Sequence, residues 1–291
     1  MIRIIFCILG LTVPIIYSKI IEETTINVEV TDDLSTRESA TSEIPTISSA
    51  FRDAVNDTSS DLDDSRGTRA EGGSEVSENS FQQNFPFIVA LYDLFGHYFC
   101  MGTILTPRLI LTAHHCIEGE KPLASIRAHT RDNYYGGESH RVANIIRHPY
   151  GGLSSNDIGM VVLMTRISNA RRVTLLSSKI LVPNGSTVRA VGWGQLNRGY
   201  TRMLMTVNLR ICPVPKCRNH YRGDVWICTE SSPRAHTCFG DSGGPILYKG
   251  MQVGIVSHST VRNKCGSYVP TANVNIKRYL NWITYYFRMY Q

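Results

Sequence analysis

The sequence predicts an all-β protein that ends in a single helix. Short runs rich in Val, Ile, Leu and Tyr alternate with clusters of Gly, Pro, Asn and Ser, which is typical of a barrel or sandwich of short strands. Near the C-terminus the spacing changes, because Leu280, Ile283 and Phe287 fall on one helical face and predict a helix over residues 277–288. At 291 residues the chain exceeds an average domain, yet β barrels reach this size as one unit.

The first 69 residues differ from the rest in composition. A basic Arg3 precedes an apolar run from Ile4 to Ile16, which resembles a secretory signal peptide with cleavage expected after Ser18. The run is too short to predict a membrane span, so we expect no membrane anchor. Residues 19–69 hold 12 acidic and 5 basic residues and no cysteine, so we expect a disordered acidic propeptide. The sequence therefore predicts a secreted chain whose folded domain covers residues 70–291.

This domain is basic, with 24 basic and 12 acidic residues from position 70 onward. Two interpretations stay open: the acidic propeptide contacts the basic domain while they are joined, or each surface is solvated independently. A basic surface can also attract nucleic acid, but the sequence contains no nucleic-acid-binding motif, so we expect no nucleic-acid partner.

Several runs within the domain predict individual strands. Five of them cover residues 87–92, 109–112, 142–147, 188–192 and 251–257. A further apolar run, Ile158 to Leu163, predicts a buried strand that would carry the adjacent Asp157 inward.

Residues 240–245 read Gly-Asp-Ser-Gly-Gly-Pro and combine several requirements of acyl transfer. Ser242 can act as a nucleophile, and the glycines around it permit a tight turn. In such a turn the N–H groups of Gly240 and Ser242 can point at one spot, where an oxyanion would form. Asp241 beside the nucleophile needs a cationic partner from elsewhere in the chain.

A general base and an orienting acid occur in two other motifs. Residues 111–116 read Leu-Thr-Ala-His-His-Cys, and residues 156–163 read Asn-Asp-Ile-Gly-Met-Val-Val-Leu. With residues 240–245, these motifs resemble the three catalytic signatures of the chymotrypsin/trypsin-like serine protease family, in that family's order of His, Asp and Ser. The resemblance extends from about residue 70 to the C-terminus and includes Gly192-Trp193-Gly194.

The resemblance implies a fold of two six-stranded antiparallel β-barrels with the catalytic triad in the cleft between them. The first barrel would supply His115 and Asp157, and the second would supply Ser242. His115 directly precedes the cysteine and is therefore the base, which leaves His114 a structural role. The N–H groups of Gly240 and Ser242 would form the oxyanion hole. The family uses no metal or cofactor, and we expect none here.

Cysteines and glycosylation sequons fit a secreted protein. One of the eight cysteines lies in the signal peptide, which leaves seven. The resemblance implies the disulfides Cys100–Cys116, Cys217–Cys228 and Cys238–Cys265. Cys212 is left over, and we favour a buried free thiol over an intermolecular bridge or competition with Cys217 for Cys228. Asn56 and Asn184 begin the sequons for N-glycosylation.

The resemblance also implies activation by cleavage after Arg69. The new N-terminal ammonium, on Ala70, would then pair with Asp241. Family members often begin with isoleucine at this position, and Ala70 loses about 2 kcal/mol of burial by comparison. We therefore expect a less favourable switch to the active form. Arg66 is an alternative cleavage site that lacks the two glycines following Ala70-Glu71.

The residues aligned with the specificity pocket differ from those of trypsin-like members. His236 stands where trypsin-like members have an aspartate, and it could recognise an acidic substrate residue or hydrogen-bond to the backbone. Ser257 is followed by His258 and Ser259, where the family usually reads Trp-Gly. Side chains at Ser259 and Thr271 would narrow the pocket, so we expect cleavage after small or medium residues, not after Lys or Arg.

These features together predict a secreted serine endopeptidase made as a zymogen. Its partners would be protein or peptide substrates, an activating protease that cuts after Arg69, and protease inhibitors. The alternative is a catalytically weak or inactive homologue that acts as a binding or regulatory protein.

Overall fold

The computed structural model describes residues 73–118, 122–196, 199–261 and 264–291. The predicted signal peptide and propeptide, with Asn56, Arg69 and Ala70, lie outside these residues. The described part of the chain forms fifteen strands and four α-helices. Among these helices none is long and apolar enough to cross a membrane.

Six strands form a closed antiparallel barrel in the order β2-β3-β4-β7-β6-β5. Their bounds are β2 Ile88–Asp93, β3 Tyr98–Thr106, β4 Leu109–Thr112, β5 Leu123–Ala128, β6 Glu138–Arg147 and β7 Gly159–Leu163. Strands β2, β4 and β7 are buried along their whole length, which explains why they read as nearly continuous apolar runs. Helix α1, Glu78–Asn84, precedes the barrel and is capped by the Ser77 hydroxyl, which accepts a hydrogen bond from Ser80 N.

A second sheet follows the order β1-β11-β8-β13-β14-β15-β12. Its strands are β1 Gly73–Glu75, β8 Thr187–Gly192, β11 Met205–Arg210, β12 Trp226–Thr229, β13 Pro245–Tyr248, β14 Met251–His258 and β15 Thr271–Asn275. Just beyond the end of β11, Ile211 pairs with Thr229 at the end of β12 through an isolated bridge. Six strands therefore curve into a ring, and β1 adds to β11 at its edge. The prediction of an all-β, trypsin-like fold is confirmed.

Shorter elements complete the second half of the chain. They are β9 Gln195–Leu196, β10 Gly199–Tyr200 and α3 Val214–Arg218. The predicted C-terminal helix is present as a 3₁₀ turn, Ile276–Tyr279, followed by α4, Leu280–Met289. Ile283 is its buried residue, and the Thr106 hydroxyl of β3 donates to Tyr290 O just beyond its end, at 2.6 Å.

Three disulfides link the described residues in the pairs that the resemblance implied: Cys100–Cys116, Cys217–Cys228 and Cys238–Cys265. Cys212 is a buried free thiol. Burial raises the pKa of the Cys212 thiol to about 11. Its backbone N–H donates to Cys228 O at 2.9 Å, beside the contact that closes the second ring.

The two barrels meet along β3. Met101 N donates to Ser242 O at 2.8 Å, and the Thr103 hydroxyl donates to the buried Gln252 side chain at 2.9 Å. The Tyr98 hydroxyl donates to Gly240 O at 2.5 Å. These bonds fix the turn that carries Ser242 against the first barrel.

Candidate active site

His115 is positioned by the end of β4 and by a disulfide. It begins α2, His115–Glu118, which follows the buried β4 through the buried Ala113 and His114. The next residue, Cys116, is bonded to Cys100 in β3, which fixes the start of this short helix. The side chain of His115 is 27% exposed and so remains accessible to a ligand. The neighbouring His114 is buried instead and pairs with Glu118, in keeping with a structural role.

Asp157 is fully buried and holds His115 through two contacts. Its Oδ1 accepts from His115 N at 2.9 Å, and its Oδ2 lies 2.8 Å from His115 Nδ1. The Ser257 hydroxyl also donates to Oδ2, at 2.5 Å. Burial alone would raise the pKa of Asp157, but the hydrogen bonds and charge of His115, with the Ser257 bond, outweigh burial and lower it. The carboxylate is therefore ionised, and it orients the imidazole with Nδ1 protonated.

Ser242 lies on the turn that leads into β13. Gly243 follows it with φ of 80°, and a Cβ there would lie 2.2 Å from Met101 O and 2.3 Å from the Thr112 hydroxyl. Only glycine fits such a position without displacing backbone. The motif therefore folds as a tight turn because β3 and β4 of the first barrel pack directly against it.

Two backbone donors next to Ser242 are free. Among the described residues, neither Gly240 N nor Ser242 N donates a hydrogen bond within the protein, although Asp241 N and Gly243 N both do. Gly240 adopts φ of 93°, which side-chain-bearing residues rarely reach. Two unpaired N–H groups, one of them on the serine itself, have the chemistry needed to stabilise a tetrahedral oxyanion.

His115 and Ser242 line one cavity of about 330 Å³. No hydrogen bond joins their side chains in the described structure, as is common in sites without bound substrate. Three of the predicted pocket residues line the same cavity: Ser257, Ser259 and Thr271. The structure thus brings the predicted base, nucleophile and pocket walls together at the junction of the two barrels.

His236 lies elsewhere. It borders a smaller cavity of about 60 Å³, and its Nδ1 donates to Ser232 O at 2.7 Å. This geometry matches the interpretation of His236 as a polar residue bonded to the backbone.

Asp241 borders the same small cavity as His236. Its carboxylate accepts from Gly194 N and from Cys238 N, each at 2.8 Å. A Cβ on Gly194 would lie 2.1 Å from Asp241 Oδ2, which explains the second glycine of Gly192-Trp193-Gly194. Burial raises the pKa of Asp241 to about 6, although the two backbone bonds oppose this shift. No cation pairs with Asp241 within the described ranges.

The sequence argument missed several residues that line the cavity of Ser242, among them Leu153 and Lys264. Leu153 contributes from the loop before β7, and Lys264 contributes from the loop before β15. Lys264 directly precedes Cys265, whose disulfide with Cys238 the resemblance implied, and this adjacency was the available signal. Leu153 stands in a glycine-rich loop with no signal of its own. No Asp or Glu is among the described residues that line this cavity.

Comparisons with known proteins indicate one family. The model of the family described as trypsin matches residues 71–283. Trypsin delta of Drosophila erecta is 30% identical over 207 residues, which cover 65% of this chain and 78% of that protein. Kallikrein-8 of Homo sapiens is 32% identical over 200 residues, which cover 63% of this chain and 75% of that protein.

A solved structure is also similar. Neuropsin, described as a serine protease expressed in the limbic system of mouse brain, superposes with a TM-score of 0.65 at 27% identity. The match covers 74% of this chain and 98% of that structure.

Proposed function

Because this chain belongs to the trypsin family and is a serine endopeptidase, we propose that Ser242, His115 and Asp157 are its catalytic triad. The observation that carries the proposal is the buried Asp157, which bonds both the backbone and the ring of His115 beside the cavity that Ser242 lines.

In this mechanism Ser242 Oγ attacks the substrate carbonyl while His115 Nε2 takes its proton. Asp157 holds the tautomer of His115 and stabilises the imidazolium that forms. The N–H groups of Gly240 and Ser242 receive the negative charge of the tetrahedral intermediate. His115 then donates its proton to the leaving amine, and water hydrolyses the acyl-enzyme by the same steps.

Labelling of the serine tests this assignment. The secreted chain is prepared with the recognition sequence of a site-specific protease ending at position 69. It is then cut by that protease and treated with a fluorophosphonate. We expect label on Ser242, located by mass spectrometry, with none on the Ser242→Ala and His115→Ala proteins. Ser177→Ala, a change at an exposed serine, should label like wild type. A folded, cut wild type that takes no label would favour the alternative of an inactive homologue that acts by binding.

We further propose that the chain is secreted as a zymogen. Cleavage after Arg69 would free the ammonium of Ala70, which would enter the small cavity and pair with Asp241. Three observations support this: Gly73 and Asp241 border the cavity, Asp241 is partly buried and pairs with no cation in the described part of the chain, and the cavity wall includes apolar Val191 and Val207. Asn184, exposed in a turn, would carry a glycan.

The apolar wall suggests a direct test of activation. An isoleucine at position 70 would bury about three more methylenes than alanine, worth on the order of 2 kcal/mol. Ala70→Ile, compared with wild type after the same cut, should therefore show a larger active fraction by fluorophosphonate titration. Equal active fractions would contradict the proposed switch.

The pocket favours a specificity different from that of trypsin. Lys264 and His258 line it, no carboxylate does so among the described residues, and Ser259 and Thr271 project side chains into its lining. We propose cleavage after small or medium residues, including acidic ones, and poor cleavage after Lys or Arg. Profiling the cut enzyme against a peptide library checks this, and a preference for Arg or Lys before the cut bond would overturn it.

A further inference from the structure

Ser257 joins the proposed triad to a second imidazole. Its Oγ lies 2.5 Å from Asp157 Oδ2 on one side and 2.9 Å from His258 Nδ1 on the other. Asp157 Oδ2 in turn lies 2.8 Å from His115 Nδ1. Four side chains therefore form one continuous chain of hydrogen bonds from His258 to His115.

This arrangement depends on an irregularity in β14. Val256 pairs with Asn273 and His258 pairs with Ala272, so Ser257 is an extra residue on β14 without an opposite partner on β15. In a regular strand, consecutive side chains point to opposite faces of the sheet and cannot meet. A bulge re-aims the side chain at the extra residue. The bulge is what allows Ser257 and His258 to bond to each other.

Two aromatic rings fix the orientation of His258. Tyr221 and Trp226 pack edge-to-face against its imidazole, with ring centroids 5.4 Å and 5.1 Å away and interplanar angles of 85° and 82°. Such contacts favour one plane of the ring. The donor on His258 is therefore held in place before any substrate binds.

The protons of this chain can be assigned by elimination. Asp157 is ionised and carries none, so the single hydroxyl proton of Ser257 must lie on the bond to Asp157. Ser257 Oγ can then only accept from His258, which places a proton on His258 Nδ1. Burial and the neighbouring His115 lower the pKa of His258, against the opposing effect of Asp157, so the ring is neutral at pH 7 and Nε2 is unprotonated.

We propose that His258 is a positioning residue for the triad and acts through Ser257. This proposal rests on the proposed function, since it concerns the same Asp157 and His115. By donating to a lone pair of Ser257, His258 leaves the hydroxyl one favourable direction, toward Asp157 Oδ2. Asp157 is thereby held where its Oδ2 also meets His115 Nδ1.

A double-mutant cycle separates this role from that of a pocket wall. His258→Phe keeps an aromatic ring against Tyr221 and Trp226 but removes the donor, and should lower kcat about fivefold, the worth of one hydrogen bond. His258→Asn places an amide N–H near the position of Nδ1 and should restore kcat to within about twofold of wild type. In a Ser257→Ala background, His258→Phe should change kcat by less than about twofold.

The outcomes of the cycle are distinct. Equal losses of kcat from His258→Phe with and without Ser257 would overturn the proposal, as would a His258→Asn protein no better than His258→Phe. Thermal unfolding of each variant shows whether it is folded, and active-site titration corrects kcat for the active fraction. A His258→Phe protein that does not fold leaves the comparison to His258→Asn and the spectroscopic test.

The tautomer can be observed without turnover. In Ser242→Ala protein labelled with ¹⁵N-histidine, His258 should show a protonated Nδ1 at neutral pH, and Ser257→Ala should shift that resonance. A proton on Nε2 instead would refute the assigned chain of bonds. If the tautomer is as expected but His258→Phe leaves kcat unchanged, the positioning role alone is refuted. A wild type that is inactive and takes no fluorophosphonate label would refute the proposed function, and this role with it.

Discussion

Replacing Asp241 by Asn in the uncut chain should make the free energy of unfolding less dependent on pH. The change removes a carboxylate whose pKa burial raises from 3.8 to about 6. The folded protein therefore binds a proton more tightly than the unfolded chain does, and stability falls as pH rises from about 4 to about 6. Asn does not titrate, so this loss should be absent from the variant.

The magnitude follows from the two pKa values. Ionisation of Asp241 lowers the free energy of unfolding by about 3 kcal/mol at pH 7.5 and by less than about 1 kcal/mol at pH 4. The amide adds a constant penalty, because Gly194 N and Cys238 N both donate to the present carboxylate and an NH₂ group cannot accept. The difference in unfolding free energy between variant and wild type should therefore move by about 2–3 kcal/mol in favour of the variant from pH 4 to pH 7.5.

Urea unfolding of the uncut Ser242→Ala protein measures this quantity without self-digestion. Asp224→Asn is the matched control, because its carboxylate is 55% exposed and its ion pair with Arg278 lies at the surface, where such pairs contribute little, so its difference should change far less between the two pH values. After cleavage, an ammonium paired with Asp241 would remove the loss of stability between about pH 4 and pH 6 in wild type. A difference for Asp241→Asn that stays constant between pH 4 and pH 7.5 would refute the reasoning.

Three further changes have defined outcomes. Asp157→Asn should lower kcat about 10⁴-fold in steady-state kinetics of the cut enzyme, because an amide favours the wrong tautomer of His115; a loss below tenfold would contradict the assigned role. Gly243→Ala should lower the unfolding free energy by at least about 2 kcal/mol more than Gly250→Ala, since φ is 80° and 76° respectively but only Gly243 faces a clash; similar urea midpoints would show that the turn can relax. Replacing both Cys238 and Cys265 by Ala opens a disulfide with a sequence separation of 27 residues and should cost about 2–4 kcal/mol in urea unfolding, with a lower kcat/KM from the loosened pocket wall.

Much of the fold was predictable from local patterns. The strand predicted over residues 109–112 is β4 to the residue, and that over residues 188–192 is β8 with one residue more. The order of the strands was not derivable from these patterns, because pairing joins distant segments such as β8 with β13. The two-barrel arrangement came from the family resemblance of three short motifs.

The candidate site was likewise predictable only in part from the sequence. The resemblance of three motifs to the family's signatures identified His115, Asp157 and Ser242, and the structure brings these residues to one junction. The sequence position of His236 was misleading. The number of residues between His236 and Ser242 fixes a position on the backbone but not the direction of the side chain. The bond between Ser257 and His258 was equally hidden, since adjacent residues of a regular strand face apart and only the bulge in β14 unites them.

The unpaired Cys212 makes the opening of the second barrel measurable. Its thiol is 2% exposed and sits where the ends of β11 and β12 close the ring. An alkylating reagent can therefore react with Cys212 only in molecules whose ring has transiently parted. The rate of alkylation under native conditions, compared with that of the unfolded chain, gives the population of this opened form. The reactivity of one buried sulfur thus reports a local fluctuation of the folded enzyme.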